Sequence, residues 1–286
     1  MFDTGFLMRV SCLVAPAMAA MLSIGGAAAA QEIAWNSIRT PAPGEPTAIG
    51  AYANGCVLGA EELPPEGVGY QAIRLSRYRN YGHPELVQFI IDLGARLDEV
   101  GIGPILIADM AQPRGGPMPS GHISHQSGLD ADIWFRLGLP RLPRSARDFV
   151  PAEIMVDRGD WRLRTEVWTD DQATMLHMAA TDPRIARIFV HPVLKRDMCE
   201  REWKDRSFLR TLRPWFGHDA HFHVRLQCPD DNPDCQAQSP IPPGEGCGEE
   251  LLSWFPEPGE PPPRPTSSTR VPPPPSETCV AVATME

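Results

Sequence analysis

The chain has 286 residues, of which 42% are hydrophobic and 22% charged, with a formal net charge of -10. That acidic balance argues against a nucleic-acid binder, which needs a basic surface. It leaves a small substrate open, because a substrate meets a local field rather than the net charge.

The N-terminus reads as an export signal over residues 1–30. Arg9 precedes an apolar run from about Leu13 to Ala30, and Ala28-Ala29-Ala30 before Gln31 offers a small-residue cleavage site. Pro16 and the glycines weaken the alternative of a membrane anchor. No later segment approaches the roughly 20 apolar residues of a spanning helix. Cleavage after Ala30 removes Asp3 and Arg9 together, so the charge stays at -10. It also removes Cys12 from the seven cysteines, leaving Cys56, Cys199, Cys228, Cys235, Cys247 and Cys279. An even number in an exported chain points to disulfides, in a connectivity that sequence alone does not choose. No Cys-x-x-Cys occurs, which disfavours a cysteine metal site.

From Pro84 through Val100, Leu86, Phe89, Ile90, Leu93 and Leu97 recur at helical spacing, and Pro84 suits a first helical position. Pro104 to Met110 reads as a buried strand, and the Gly- and Pro-rich stretch from Gln112 to Gly121 as a loop. Leu129 to Phe135 is a second strand. Thr169-Asp170-Asp171-Gln172 fits a capping box that opens a helix through about Ala180. Arg187 to Val190 reads as a strand, Ser207 to Leu212 as a short helix stopped by Pro214, and His221 to Leu226 as a strand. Strands and helices mixed without regular alternation predict an α+β fold around an antiparallel sheet, with flanking helices, in one catalytic domain over residues 31–255. Proline is dense from Pro256 to Pro275, so residues 256–286 read as an extended strap or a tail.

The chemistry sits in two segments, Gly121-His122-Ile123-Ser124-His125-Gln126-Ser127-Gly128-Leu129-Asp130-Ala131-Asp132 and His218-Asp219-Ala220-His221-Phe222-His223. Period two puts His221 and His223 on one strand face. Gly128 allows a loop carrying His125 to fold back on a strand carrying Asp132. Acidic residues in an apolar strand are costly unless paired or metal-bound. Asp130 and Asp132 share a face, so spacing does not say which would ligate. His, Asp and His can close on one zinc ion and leave a position for water. The set points to a metallohydrolase.

His-x6-Asp followed by His-x-His resembles the zinc peptidase superfamily that includes lysostaphin-type endopeptidases, D-Ala-D-Ala peptidases and the hedgehog signalling domain. Within it, three segments resemble the penicillin-insensitive murein endopeptidases: Asp109 to Gly116, Gly121 to Ile133, and Arg213-Pro214-Trp215-Phe216-Gly217-His218 running on to Arg225. The resemblance spans Gly55-Cys56 to Cys279. It implies a periplasmic enzyme that uses zinc to cut D-alanyl–meso-diaminopimelyl cross-links in peptidoglycan. It makes His125, Asp132 and His223 the zinc ligands and His221 the general base or transition-state stabiliser. His218 is a catalytic partner and His122 an auxiliary residue lining the site. Asp157 is a candidate for a second metal, but no histidine lies between it and Arg162. The implied disulfides are Cys56–Cys279, Cys199–Cys247 and Cys228–Cys235.

The chain departs from the dipeptidase branch at two positions. Asp130 stands where that branch has Ala, and Ala220 where it has a catalytic Glu, so no carboxylate base is available there and the role passes to His221. The rival readings are a D,D-carboxypeptidase and a catalytically silent wall-binding module on the same fold.

Overall fold

A seven-stranded sheet carries both histidine segments in the computed structural model, which describes residues 1, 33–257, 260–261 and 273–286. The expected export signal and most of the proline run lie outside the described residues. Ile33–Glu286 packs as one unit. Across the sheet the order is Leu212–Pro214, Ile185–Val190, His221–Leu226, Asp130–Trp134, Ile105–Ile107, Tyr70–Ala72 and Glu66–Gly67. The four central strands run antiparallel, as the sequence predicts. Beside them lie two parallel pairs, Leu212–Pro214 with Ile185–Val190 and Tyr70–Ala72 with Ile105–Ile107. The fold is therefore α+β, with the sheet mixed towards its edges.

The pleat divides the two central strands by chemistry. Ala131, Ile133, Phe222, Val224 and Leu226 join the main core. The alternate residues Asp130, Asp132, His221, His223 and Arg225 share the other face. Register then fixes the partners, because His223 lies opposite Asp132 and Arg225 opposite Asp130.

The helix Pro84–Glu99 covers the core face. Its Leu86, Phe89, Ile90, Leu93 and Leu97 are fully buried, each contributing about 1.5–3 kcal/mol of burial. His83 caps it, its Nδ1 accepting from the Glu85 amide at 3.3 Å. The helix Asp170–Ala180 packs on the same core and opens with the expected capping box of Thr169 and Gln172.

Several elements differ from the sequence reading, three of them beside the core or the terminus. Ser207–Thr211 is a 3-10 turn and leads straight into the edge strand Leu212–Pro214, where Pro214 needs no ladder donor. The helices Pro192–Glu200 and Glu277–Thr284 stand where no helix is expected. The second is held from outside. Cys279 is bonded to Cys56, and the Arg114 guanidinium donates to the terminal carbonyls of Val282 and Ala283. The other disulfides join Cys199 to Cys247 and Cys228 to Cys235.

Candidate metal centre

The loop from Gln112 to Gln126 brings two histidines onto the polar face of the sheet. It is clamped at its base, where Gly115 bridges Cys56 and the Gly116 amide donates to the Gln126 carbonyl at 3.0 Å. Gly115 has φ +68°, and a Cβ there would lie 1.9 Å from the Gln126 carbonyl oxygen, so only glycine fits. The Gln126 side chain donates to the carbonyls of Ala53 and Ile123. His125 itself adopts a left-handed backbone, φ +71°. A non-glycine residue held there signals a conformation that its surroundings over-determine.

His122, His125 and Asp132 each offer a donor atom, and these atoms lie within 4.8 Å of one another. Among the described residues this is the group compact enough to hold a metal. His223 closes the ring. Its Nδ1 lies 3.3 Å from Asp132 Oδ1, and its ring centroid 4.5 Å from that of His125. His221 Nε2 lies 3.6 Å from Asp132 Oδ2. The His218 ring sits 5.0 Å from that of His221. The structure thus gathers His122, His125, His218, His221 and His223 around Asp132.

The donor set fits a cation. Both ring nitrogens of buried His125, together with Asp132 Oδ1 and His223 Nε2, have no aligned hydrogen-bond partner. Burying such groups unpaired costs about 1–3 kcal/mol each. Of these, His125 Nε2 and Asp132 Oδ1 face one another at 3.5 Å, with His223 Nδ1 3.3 Å from the same oxygen, a convergence that a metal ion would satisfy.

Two further carboxylates hold the imidazoles from behind. His122 Nε2 lies 3.0 Å from Asp109 Oδ2, which turns its Nδ1 towards Asp132 Oδ2 at 3.5 Å. His223 Nε2 lies 3.4 Å from Asp130 Oδ1, which likewise leaves Nδ1 for the centre. Such carboxylate–histidine pairs fix ring orientation and tautomer at metal sites. Each carboxylate is itself neutralised. Arg225 forks onto Asp130 at 2.7 and 2.9 Å, and the His125 amide donates to the same carboxylate. Arg77 and Arg79 both reach Asp109, at 2.9 and 2.8 Å. Asp130 thus faces a guanidinium and the back of the His223 imidazole, whereas Asp132 faces the ring nitrogens at the centre.

The electrostatics follow this layout. Burial alone would raise Asp132, but His221, His125 and His223 hold its carboxyl well below the usual range. Burial likewise opposes ionisation of Asp130 and is outweighed by Arg225 and His223. Burial depresses His125 and His221 despite the neighbouring Asp132. Burial, with the charges of His221 and His223, pushes His218 down to about 3. His223 behaves oppositely. Asp130 and Asp132 overcome its burial and raise it to about 9, holding a proton that a metal cation would displace.

Sequence reasoning did not reach Asp109, Arg77, Arg79 or Arg225 in these roles. Asp157 is exposed, and its Oδ1 accepts from the Gly159 and Asp160 amides, so it serves a turn. His83 and His191 cap helices, and His177 stacks on Trp203 at 4.6 Å.

The family model described as penicillin-insensitive murein endopeptidase matches residues 48–284. The chain belongs to the penicillin-insensitive murein endopeptidase family. Members carrying that name include one from Haemophilus influenzae, 45% identical over 235 residues, 80% of this chain and 82% of the relative. One from Klebsiella pneumoniae strain 342 is 41% identical over 268 residues, 93% and 96% of the two chains. One from Yersinia enterocolitica is 44% identical over 245 residues, 85% and 88% of the two. The match to the murein endopeptidase family takes in all three motif segments, both strands of the centre and the arginines behind them.

Proposed function

We propose that this chain is an exported, zinc-dependent murein endopeptidase that cuts D-alanyl–meso-diaminopimelyl cross-links in peptidoglycan. The carrying observation is the buried convergence of His125 Nε2 and His223 Nδ1 on Asp132 Oδ1, in a chain of this family. In this reading those three residues hold zinc, with His122 as an auxiliary donor. A zinc ion there supplies Lewis acidity towards the scissile carbonyl and the attacking water. Residues 1–30 act as the export signal, 31–255 form the peptidase domain, and the mature chain works in the periplasm.

His221 carries the proton work. Burial keeps its imidazole basic form neutral, so Nε2 can accept a proton from the attacking water and return it to the departing amine. Ala220 offers no competing base. His218 donates its Nδ1–H to the Phe216 carbonyl at 2.8 Å, which leaves Nε2 as an acceptor. It therefore suits a partner of His221 rather than a donor to an oxyanion. The scheme uses no serine nucleophile, so a β-lactam finds nothing to acylate.

The test is to incubate purified mature chain with cross-linked muropeptide dimers, with and without a chelator, beside His223→Ala. Two monomers, appearing only with metal and lost in the variant, are expected. Release of free D-Ala instead would move the reading to a carboxypeptidase. A folded, zinc-loaded chain that converts nothing would leave a wall-binding module. Metal content measured by mass spectrometry is expected to fall in His125→Ala and Asp132→Ala even where activity is not assayed.

A further inference from the structure

We propose that Arg77 binds the carboxylate on the amine side of the scissile amide, and so favours cross-links in which that carboxylate is free. This rests on the endopeptidase reading above and adds a specificity-determining residue to it.

The arginine stands on a short turn next to the centre. Leu75–Arg77 is a 3-10 turn flanked by two left-handed non-glycine residues, Arg74 at φ 57° and Tyr78 at φ 53°. Strain at both ends implies that the surrounding packing fixes how the turn presents its side chains. Arg77 and Arg79 then reach the same atom, Asp109 Oδ2, at 2.9 and 2.8 Å, and His122 Nε2 meets that oxygen at 3.0 Å.

One buried carboxylate thus faces two guanidiniums, which leaves a surplus positive charge beside His122. The surplus is on the exposed member. The Arg79 side chain is 9% exposed, against 43% for Arg77. Arg79 and His122 meet the same Asp109 oxygen, so Asp109 keeps a guanidinium and an imidazole when Arg77 turns to a ligand. Among the described residues, the Asp109 contact is the one hydrogen bond of the Arg77 guanidinium. A guanidinium has five N–H donors in a planar fork that matches a carboxylate. Arg77 therefore keeps most of its donors at the mouth of the site, one carboxylate away from a candidate metal donor.

The substrate carries a complementary group in the right place. An amide made at the α-amino group of a diaminopimelyl residue leaves a carboxylate on the carbon next to the scissile nitrogen. With the scissile carbonyl at Asp132 and its imidazoles, that carboxylate carbon is about two bonds beyond the scissile nitrogen, and in this reading it turns towards Arg77. In a chain of net charge -10, a surplus arginine at this rim is the feature that would draw an acidic peptide in.

The experiment compares two cross-linked muropeptide dimers, one with this carboxylate free and one with it amidated. Wild type, Arg77→Gln and Arg77→Lys are assayed for kcat/KM, with bound zinc measured in each. A charge-assisted hydrogen-bonded pair predicts that wild type prefers the free acid by about tenfold or more. Arg77→Gln should lose roughly 10- to 100-fold on the free acid, mostly in KM, and change little on the amidated dimer. Arg77→Lys should keep part of the preference, and zinc content should not change. Equal losses on both dimers would make Arg77 only a support for Asp109 and overturn the proposal. Wild-type cleavage of both dimers at one rate would overturn it while leaving the endopeptidase reading intact. Cleavage of neither would remove both.

Discussion

Arg225→Leu is the substitution from which the layered site makes its firmest demand. Arg225 is 5% exposed and Asp130 fully buried, and the fork between them is 2.7 and 2.9 Å long. At an effective dielectric of about 20, such a pair attracts by about 6 kcal/mol before desolvation. Breaking a buried pair by removing one partner costs about 3–5 kcal/mol, because the other charge is left stranded. Asp130 keeps the His125 amide at 3.0 Å and His223 Nε2 at 3.4 Å, and neither replaces the fork of a guanidinium. The expected loss is therefore about 3–5 kcal/mol in urea unfolding, a fall in Tm on the order of 10 °C for a chain of this size. The variant should also bind zinc about 10- to 100-fold more weakly, since Asp130 orients both His223 and His125. The decisive measurement is the double-mutant cycle with Asp130→Leu. If the pair is the cause, the double variant is less damaged than the two singles would give by addition. Strict additivity, or an Arg225→Leu cost below about 1 kcal/mol, would refute the argument.

Asp109→Asn should weaken zinc binding about 10- to 100-fold while costing little stability, because His122 loses the carboxylate that turns its Nδ1 inward; competition with a coloured chelator reads this directly. His191 is buried with its pKa pushed down to about 4, chiefly by burial, so the folded chain binds fewer protons than the unfolded chain below pH 6.5. Its contribution is complete above about pH 6.5 and is lost as pH falls towards 4, by roughly 3 kcal/mol in total. The helix-capping variant His191→Asn should flatten that slope in denaturant titrations at stepped pH. Loss of the Cys56–Cys279 disulfide, spanning 223 residues, should cost about 5 kcal/mol on the chain-entropy model, against about 2.5 for Cys228–Cys235, spanning 7. Paired Cys→Ala variants under thermal unfolding would check the order.

The histidines were legible because each sits in a spacing with chemical meaning: two residues apart on a strand, or beside a glycine that lets a loop return. The Asp130–Arg225 pair was within reach of the same logic. Once His223 is set opposite Asp132, the pleat forces Arg225 opposite Asp130, and only the register was missing. Arg77 and Arg79 were not legible. They meet Asp109 across a gap of some 30 residues that carries no periodic signal, from a turn whose left-handed ends no pattern announces. The long helix Pro84–Glu99 declares itself through five buried apolar positions. The helix Pro192–Glu200 has nine residues, too few to show a stripe, and a histidine cap outside the usual Ser, Thr, Asp and Asn.

Asp109, Asp130 and Asp132 divide by what faces them, and that division supports the proposed zinc over other dications. Asp109 meets guanidiniums and Asp130 meets one, so neither presents free charge to the centre. Asp132 meets imidazoles alone. Once a metal has displaced the His223 proton, the centre would offer one anionic oxygen among neutral nitrogens. That is too few oxygens for calcium or magnesium, which want six or more including waters, and well matched to zinc, which accepts mixed nitrogen and oxygen donors in a small shell. By neutralising two of the three carboxylates, the arginines leave Asp132 as the anionic oxygen facing the imidazoles, which supports the proposed zinc reading.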